Sequence, residues 1–176
     1  MNIARVWAMP TSDTFDCPPI GEIVKRYLRK SRVSIDPFAR NKRWATYTND
    51  MNPRTEAEYH ASARVFLRYL RMKGVRADLI IFDPPYTLRQ AKQCYEQFGK
   101  WSLEEAQNSG RWTKEKAICH DLLQPGGYFM HFGYSSNGLG EKYSMKIIEI
   151  LLVAHGGAHN DTICTVERKT AHQLTL

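Results

Sequence analysis

The 176-residue chain lacks any apolar run long enough to cross a membrane. Its best candidate, Ile147–Ala154, is eight residues long and carries Glu149, whereas a span needs about 20 apolar residues. No C-x-x-C pair occurs, and the four cysteines, Cys17, Cys94, Cys119 and Cys164, stand far apart, which argues against a zinc cluster or a disulfide framework and predicts reduced thiols. The opening Met1–Arg5 leads into Trp7 and Pro10 without the apolar stretch and small-residue cleavage site of a secretory leader, so a cytoplasmic protein is expected. Internal repeats, low-complexity tracts and a Gly/Pro-rich linker are also missing, and the length suits one domain over residues 1–176. Acidic residues are in deficit: 18 Asp and Glu against 25 Lys and Arg leave a net charge of +7, which favours a polyanionic partner.

Apolar spacing divides the chain into alternating elements. Ile20–Leu28 has the three-and-four period of a helix with a basic outer face, Val33–Ile35 and Trp44–Thr48 read as short strands, and Ala57–Met72 reads as a helix closed by Gly74. Ala77–Phe82 is apolar except for Asp78, as in a strand covered on both faces. Residues 88–124 read as mostly helical, and a Pro125-Gly126-Gly127 turn leads into a strand over Tyr128–Phe132. Ile147–Val153 fits a helix end or a strand, and Asp161–Arg168 alternates as a strand. Strands alternating with helices predict an α/β sheet with helices on both faces and a ligand site beyond the carboxyl ends of the strands.

The sharpest local feature follows the buried strand directly: Asp83-Pro84-Pro85-Tyr86. Two prolines fix φ and remove two N–H donors, leaving a stiff corner that offers carbonyl acceptors beside a carboxylate. A carboxylate and a carbonyl can each accept one N–H of a planar exocyclic amino group, drawing its lone pair toward an electrophile, while a tyrosine face stacks the base. As a bare tetrapeptide the run also fits a strand-ending turn with a packed tyrosine.

The tetrapeptide matches the catalytic motif of S-adenosylmethionine-dependent amino methyltransferases acting on adenine N6 or cytosine N4. Together with Trp7–Pro10, Thr14-Phe15, Pro18–Ile20, Asp36–Ala39, Asn49-Asp50, Arg89-Gln90, Leu123–Gly127, His131–Gly133, Asn137-Gly138 and His155–Lys169, it resembles the short adenine-specific DNA methyltransferases of phages and mobile elements. The resemblance implies a class I methyltransferase fold, a Rossmann-like, mostly parallel seven-stranded sheet with an antiparallel last pair, and N6 methylation of adenine in DNA. It implies Asp83, Pro84, Pro85 and Tyr86 as catalytic, and Phe15, Asp36, Pro37, Phe38, Ala39, Asn41, Asp50 and Asp83 around S-adenosylmethionine. In that scheme Asp50 accepts the ribose hydroxyls and Phe15 covers the methionine end. Taken as residues alone, Asp50 fits a turn or cap and Phe15 a core position equally well.

The chain departs from the family where a cofactor loop of the form F-x-G-x-G is usual: it has Phe38-Ala39-Arg40-Asn41-Lys42, and Ser62 stands near the place of an expected acidic residue. Glycine there permits positive φ and close backbone approach, so a binding module without catalysis is the rival reading. The same tetrapeptide suits RNA or cytosine N4. The insertion over 88–121 interleaves Arg89, Lys92, Trp101, Arg111 and Trp112, a pattern that suits phosphate contacts and base stacking on double- or single-stranded DNA, or a helical cover with a solvated face. Asn137, His159 and Asn160 complete the expected substrate set. His155 and His159 flank Gly156-Gly157, which opposes the helix a zinc pair would need, so no metal is expected. No separate target-recognition domain fits, and specificity is expected to be short or relaxed unless a homodimer extends the surface.

Overall fold

The computed structural model describes residues 1–87, 89–90, 92, 112–157 and 159–170. Seven strands form one sheet in the order β1-β6-β7-β5-β4-β2-β3. They are β1 (Asn2–Trp7), β2 (Ser34–Asp36), β3 (Tyr47–Thr48), β4 (Ala77–Phe82), β5 (Leu123–Gly133), β6 (Met145–Ala154) and β7 (Thr162–Lys169). All neighbours are parallel except β7, which runs antiparallel to both β5 and β6. Six strands therefore end on one edge of the sheet, and that edge also receives the start of β7.

Helices α1 (Pro18–Leu28), α2 (Ala63–Met72) and α3 (Thr113–Leu122) cover the faces. Pro18 and Pro19 begin α1, where a missing N–H costs nothing, and its buried side is Ile20, Ile23, Val24 and Tyr27. These residues pack with Leu79, Ile81, Met130 and Phe132. On the other face Phe66, Leu67 and Leu70 of α2 and Ile118 and Leu122 of α3 meet Ile80, Phe82 and Phe129. The strict two-residue alternation of β4 sends Leu79 and Ile81 to one layer and Ile80 and Phe82 to the other, all fully buried. Arg64 Nε donates to Glu115 Oε1 at 2.8 Å and ties α2 to α3.

Several elements differ from the sequence reading. Helix α2 starts at Ala63 and not Ala57, because Ser62 caps it by accepting from Val65 N, while Tyr59 bridges to Asn49. That capping role is what occupies Ser62. Gly74, with φ of 71°, closes the helix as expected through its N–H to the Arg71 carbonyl. Residues 123–133 form one long strand, so Pro125-Gly126-Gly127 is a break in register inside β5 and not a turn before it. Residues 145–154 are a strand throughout, and β1 is an edge strand not foreseen. The helical reading of 88–124 holds over α3, while most of 88–111 lies outside the described residues. Among the described residues no helix is long and apolar enough to cross a membrane.

Candidate active site

Each parallel strand hands a residue to the same edge. Asp36 closes β2, Asp50 follows β3, Asp83 follows β4, Tyr134 follows β5 and His155 follows β6. Here a cavity of about 640 Å³ opens, a size ordinary for a small-molecule site. One wall is Pro10, Thr11, Ser12 and Thr14; a second is Phe38, Arg40, Asp50 and Asn52. The tetrapeptide forms the floor with Gln90 and Tyr134, and His155, His159, Asn160 and Thr162 close the far side.

The corner is held rigidly. Tyr86 donates its hydroxyl to Asp83 Oδ1 at 2.6 Å, and Gln90 Oε1 accepts from the backbone N–H of Tyr86 at 2.9 Å and of Thr87 at 3.2 Å. The Tyr134 ring meets Tyr86 edge-on with centroids 5.0 Å apart. Burial pushes the Asp83 carboxyl up to about 6, against the hydrogen bonds from Tyr86 and Thr14 that lower it. Burial likewise raises Tyr86 well above the usual phenol range, aided by the charge of Asp83. At neutral pH the pair is therefore a carboxylate accepting from a neutral phenol.

On the opposite side Asp50 Oδ1 accepts from Asn52 N at 2.8 Å and Oδ2 from Arg40 N at 3.1 Å. Burial raises the carboxyl above its ordinary range, and these backbone bonds partly offset that. Asn49, fully buried, donates through Nδ2 to the carbonyls of Pro37 and Ala61 and fixes the loop behind it. Arg40 adopts φ of 50°, the left-handed conformation glycine would take freely, and its Nη1 donates to the Ser12 carbonyl at 2.7 Å. Lys42 pairs with Asp16 at 2.5 Å. Both residues that replace the expected glycines thus strap the loop to the Ser12–Asp16 wall.

The structure brings Asp83, Pro84, Pro85, Tyr86, Phe38, Asp50, His159 and Asn160 together at the cavity. Other expected residues stand elsewhere. The Phe15 ring is buried against Phe132 and Trp44 at 5.4 and 5.9 Å, and Thr14 beside it faces the cavity instead. Asp36 lies beneath the site, its carboxylate accepting from Phe38 N at 3.0 Å and lifted well above its ordinary range by burial. Pro37 and Ala39 are buried in the same loop, and Asn41 Oδ1 accepts from Glu56 N. The half-buried Trp112 indole packs edge-on to Phe38 at 5.1 Å and Phe82 at 6.4 Å and is not among the residues that line the cavity. Asn137 is exposed off the cavity, its carbonyl accepting from Lys116 Nζ. Arg89 and Lys92 are exposed next to Gln90, and Trp101 and Arg111 lie outside the described residues.

Among the cavity residues, Tyr134 is one that motif reading passed over, while Thr14, Gln90, His155 and Thr162 stood in the motif run without an assigned role. Tyr134 had a signal, since it follows a strand end just as Asp83 does. The two His155 ring nitrogens lie 2.8 Å from the Ala8 carbonyl and 2.9 Å from Thr162 Oγ1, so this histidine braces the wall. His131 is buried in the sheet, and burial, with Lys116 nearby, pushes it down to about 3, leaving it neutral. Among the described residues no group of three or more His, Cys, Asp or Glu could hold a metal.

No known protein family matches the sequence, and no curated protein does. Solved structures do match. N-methyltransferase NodS from Bradyrhizobium japonicum WM9 in complex with S-adenosyl-L-homocysteine superposes with TM-score 0.54 at 11% identity, over 88% of this chain and 89% of that one. TrmN from Thermus thermophilus gives 0.55 at 15% identity over 87% of this chain, and NSun6 from Pyrococcus horikoshii gives 0.56 at 16% over 85%. The chain spans about half the length of those two, 49% and 51% respectively. The fold is that of the class I methyltransferases.

Proposed function

We propose that this chain is an S-adenosylmethionine-dependent methyltransferase acting on the N6 amino group of adenine in DNA. The observation that carries the reading is the proline-stiffened corner at the end of β4, whose carboxylate and aromatic ring open into the same cavity as Asp50. The residues present fit the cofactor. Asp50 at a strand end can accept vicinal ribose hydroxyls, Phe38 offers an apolar ring, and Thr11, Ser12 and Thr14 supply polar contacts on the facing wall. When bound, S-adenosylmethionine supplies an electrophilic methyl group on a positively charged sulfur.

The chain's own residues present the nucleophile. Asp83 and the Pro84 carbonyl accept the two amino N–H bonds of the base, which turns the nitrogen lone pair out of conjugation and fixes its direction. Tyr86 and Tyr134 give the flipped or single-stranded base an aromatic wall. No strong base is needed, because the amino proton becomes acidic as the nitrogen gains its methyl group. The net charge of +7 suits a polyanionic substrate, and a second copy would widen the contact surface of so short a chain.

Incubation with methyl-labelled cofactor and duplex DNA, single-stranded DNA or RNA, followed by nucleoside digestion, tests the reading. Label in N6-methyladenine from DNA is expected. Label confined to N4-methylcytosine or to RNA would overturn the substrate assignment, and no transfer to any of them would overturn the activity.

A further inference from the structure

We infer that Arg40, standing where a glycine is usual, is the residue that selects the carboxylate of the cofactor's amino-acid end. Arg40 is the lone Lys or Arg among the described residues that line the cavity, where Asp50 and Asp83 supply negative charge. Other cations near carboxylates are already paired: Lys42 with Asp16, Arg26 with Glu149 and Arg71 with Asp121. Among the described residues no carboxylate lies within ion-pair distance of the Arg40 side chain, which instead hangs from the Ser12 carbonyl by one N–H at 2.7 Å. That single neutral anchor orients the fork across the wall and leaves further donors for an anion.

The backbone supports a binding role. Arg40 holds φ of 50°, a conformation that costs a branched-out side chain free energy and a glycine almost none. A residue kept only to shape the loop would be better as glycine. A zwitterionic amino-acid moiety needs one cation and one or more acceptors, and Arg40 with the Ser12 and Thr14 hydroxyls offers that complement on neighbouring walls, Asp50 and Asp83 being engaged by the ribose and the base.

The inference rests on the cofactor reading, and the test separates the two. Calorimetric titration compares S-adenosylmethionine with its decarboxylated form, which keeps the sulfonium and the ammonium, on the wild type and on Arg40→Gly. Wild type is expected to prefer the carboxylate-bearing ligand by roughly tenfold to a hundredfold. In Arg40→Gly that preference collapses toward one through loss of affinity for S-adenosylmethionine alone, with the melting temperature recorded alongside because the variant loses the strap to Ser12 while relieving the strained φ. A preference that survives in Arg40→Gly, or an equal loss for both ligands, overturns the role given to Arg40. Failure of the wild type to bind either ligand overturns the cofactor reading, and the assignment with it.

Discussion

Asp83 carries opposed demands. Its burial at the cavity floor makes the ionised form costly, yet in the proposed mechanism the ionised form is the stronger acceptor for an amino N–H. With the carboxyl raised to about 6 in the folded chain from an ordinary 3.8, the cost to folding is absent below about pH 3.8 and complete above about pH 6. Asp83→Asn is therefore expected to stabilise the protein at pH 8 by up to about 3 kcal/mol in urea unfolding while lowering kcat roughly 10²–10³-fold. A variant less stable than wild type would contradict this account of the corner. The same group sets the acid limb of the pH profile: kcat/KM falls as pH drops through about 6. In Tyr86→Phe the donated hydroxyl is gone, so that limb moves to higher pH, whereas an unshifted limb would mean that the Tyr86 bond does not act on Asp83. At this scale the place of the tetrapeptide and Asp50 at the cavity was legible, because both follow strand ends. The packing of the half-buried Trp112 indole against Phe38 and Phe82 was not legible, since interleaved aromatics and basic residues give no direction.

Helix α1 owes its seat to a carboxylate on β6. Glu149 Oε1 accepts from Arg26 Nη2 at 2.6 Å and Oε2 from the Tyr27 hydroxyl at 2.8 Å. Burial alone would raise Glu149, but these two donors outweigh it and hold the carboxyl below its usual range. Its contribution to stability is thus present above the ordinary carboxylate range and lost as pH falls through the lowered value. Glu149→Ala strands a buried phenol and a half-exposed guanidinium, and is expected to cost about 2 kcal/mol at pH 7 in chemical denaturation, shrinking on acidification. A loss that stays constant down to pH 3 would refute the ionic part of the argument. Pattern reading found β4, β7, α1 and most of α2, where alternation or the helical period is strong. It missed β1, an edge strand with Ile3 and Trp7 exposed, because no buried face enforces a period there. The start of α2 was misjudged since Tyr59 and Ala61 look apolar-periodic but serve a bridge and a loop bond to Asn49.

For the molecule as a whole, the net charge of +7 predicts that affinity for the proposed nucleic-acid substrate depends on ionic strength. Binding to a short oligonucleotide, followed by fluorescence anisotropy, is expected to weaken linearly in log Kd against log salt. A flat dependence would remove the electrostatic argument for a nucleic-acid substrate. The fold class was readable from the order of strands and helices. The way the far wall is buttressed was not, because it depends on contacts between the two ends of the sequence.

That buttress has a practical side. Strand β1 runs parallel to β6 from Asn2 opposite Glu149 to Trp7 opposite Ala154, and Ala8 then receives the His155 ring. Its amino end consequently points away from the cleft while its carboxyl end props it. Fusing a tag ahead of Met1 should leave the proposed catalysis intact, but trimming the first eight residues should loosen the His155–Thr162 wall, uncover the core on which Ala4, Val6 and Ala8 pack, and blunt turnover.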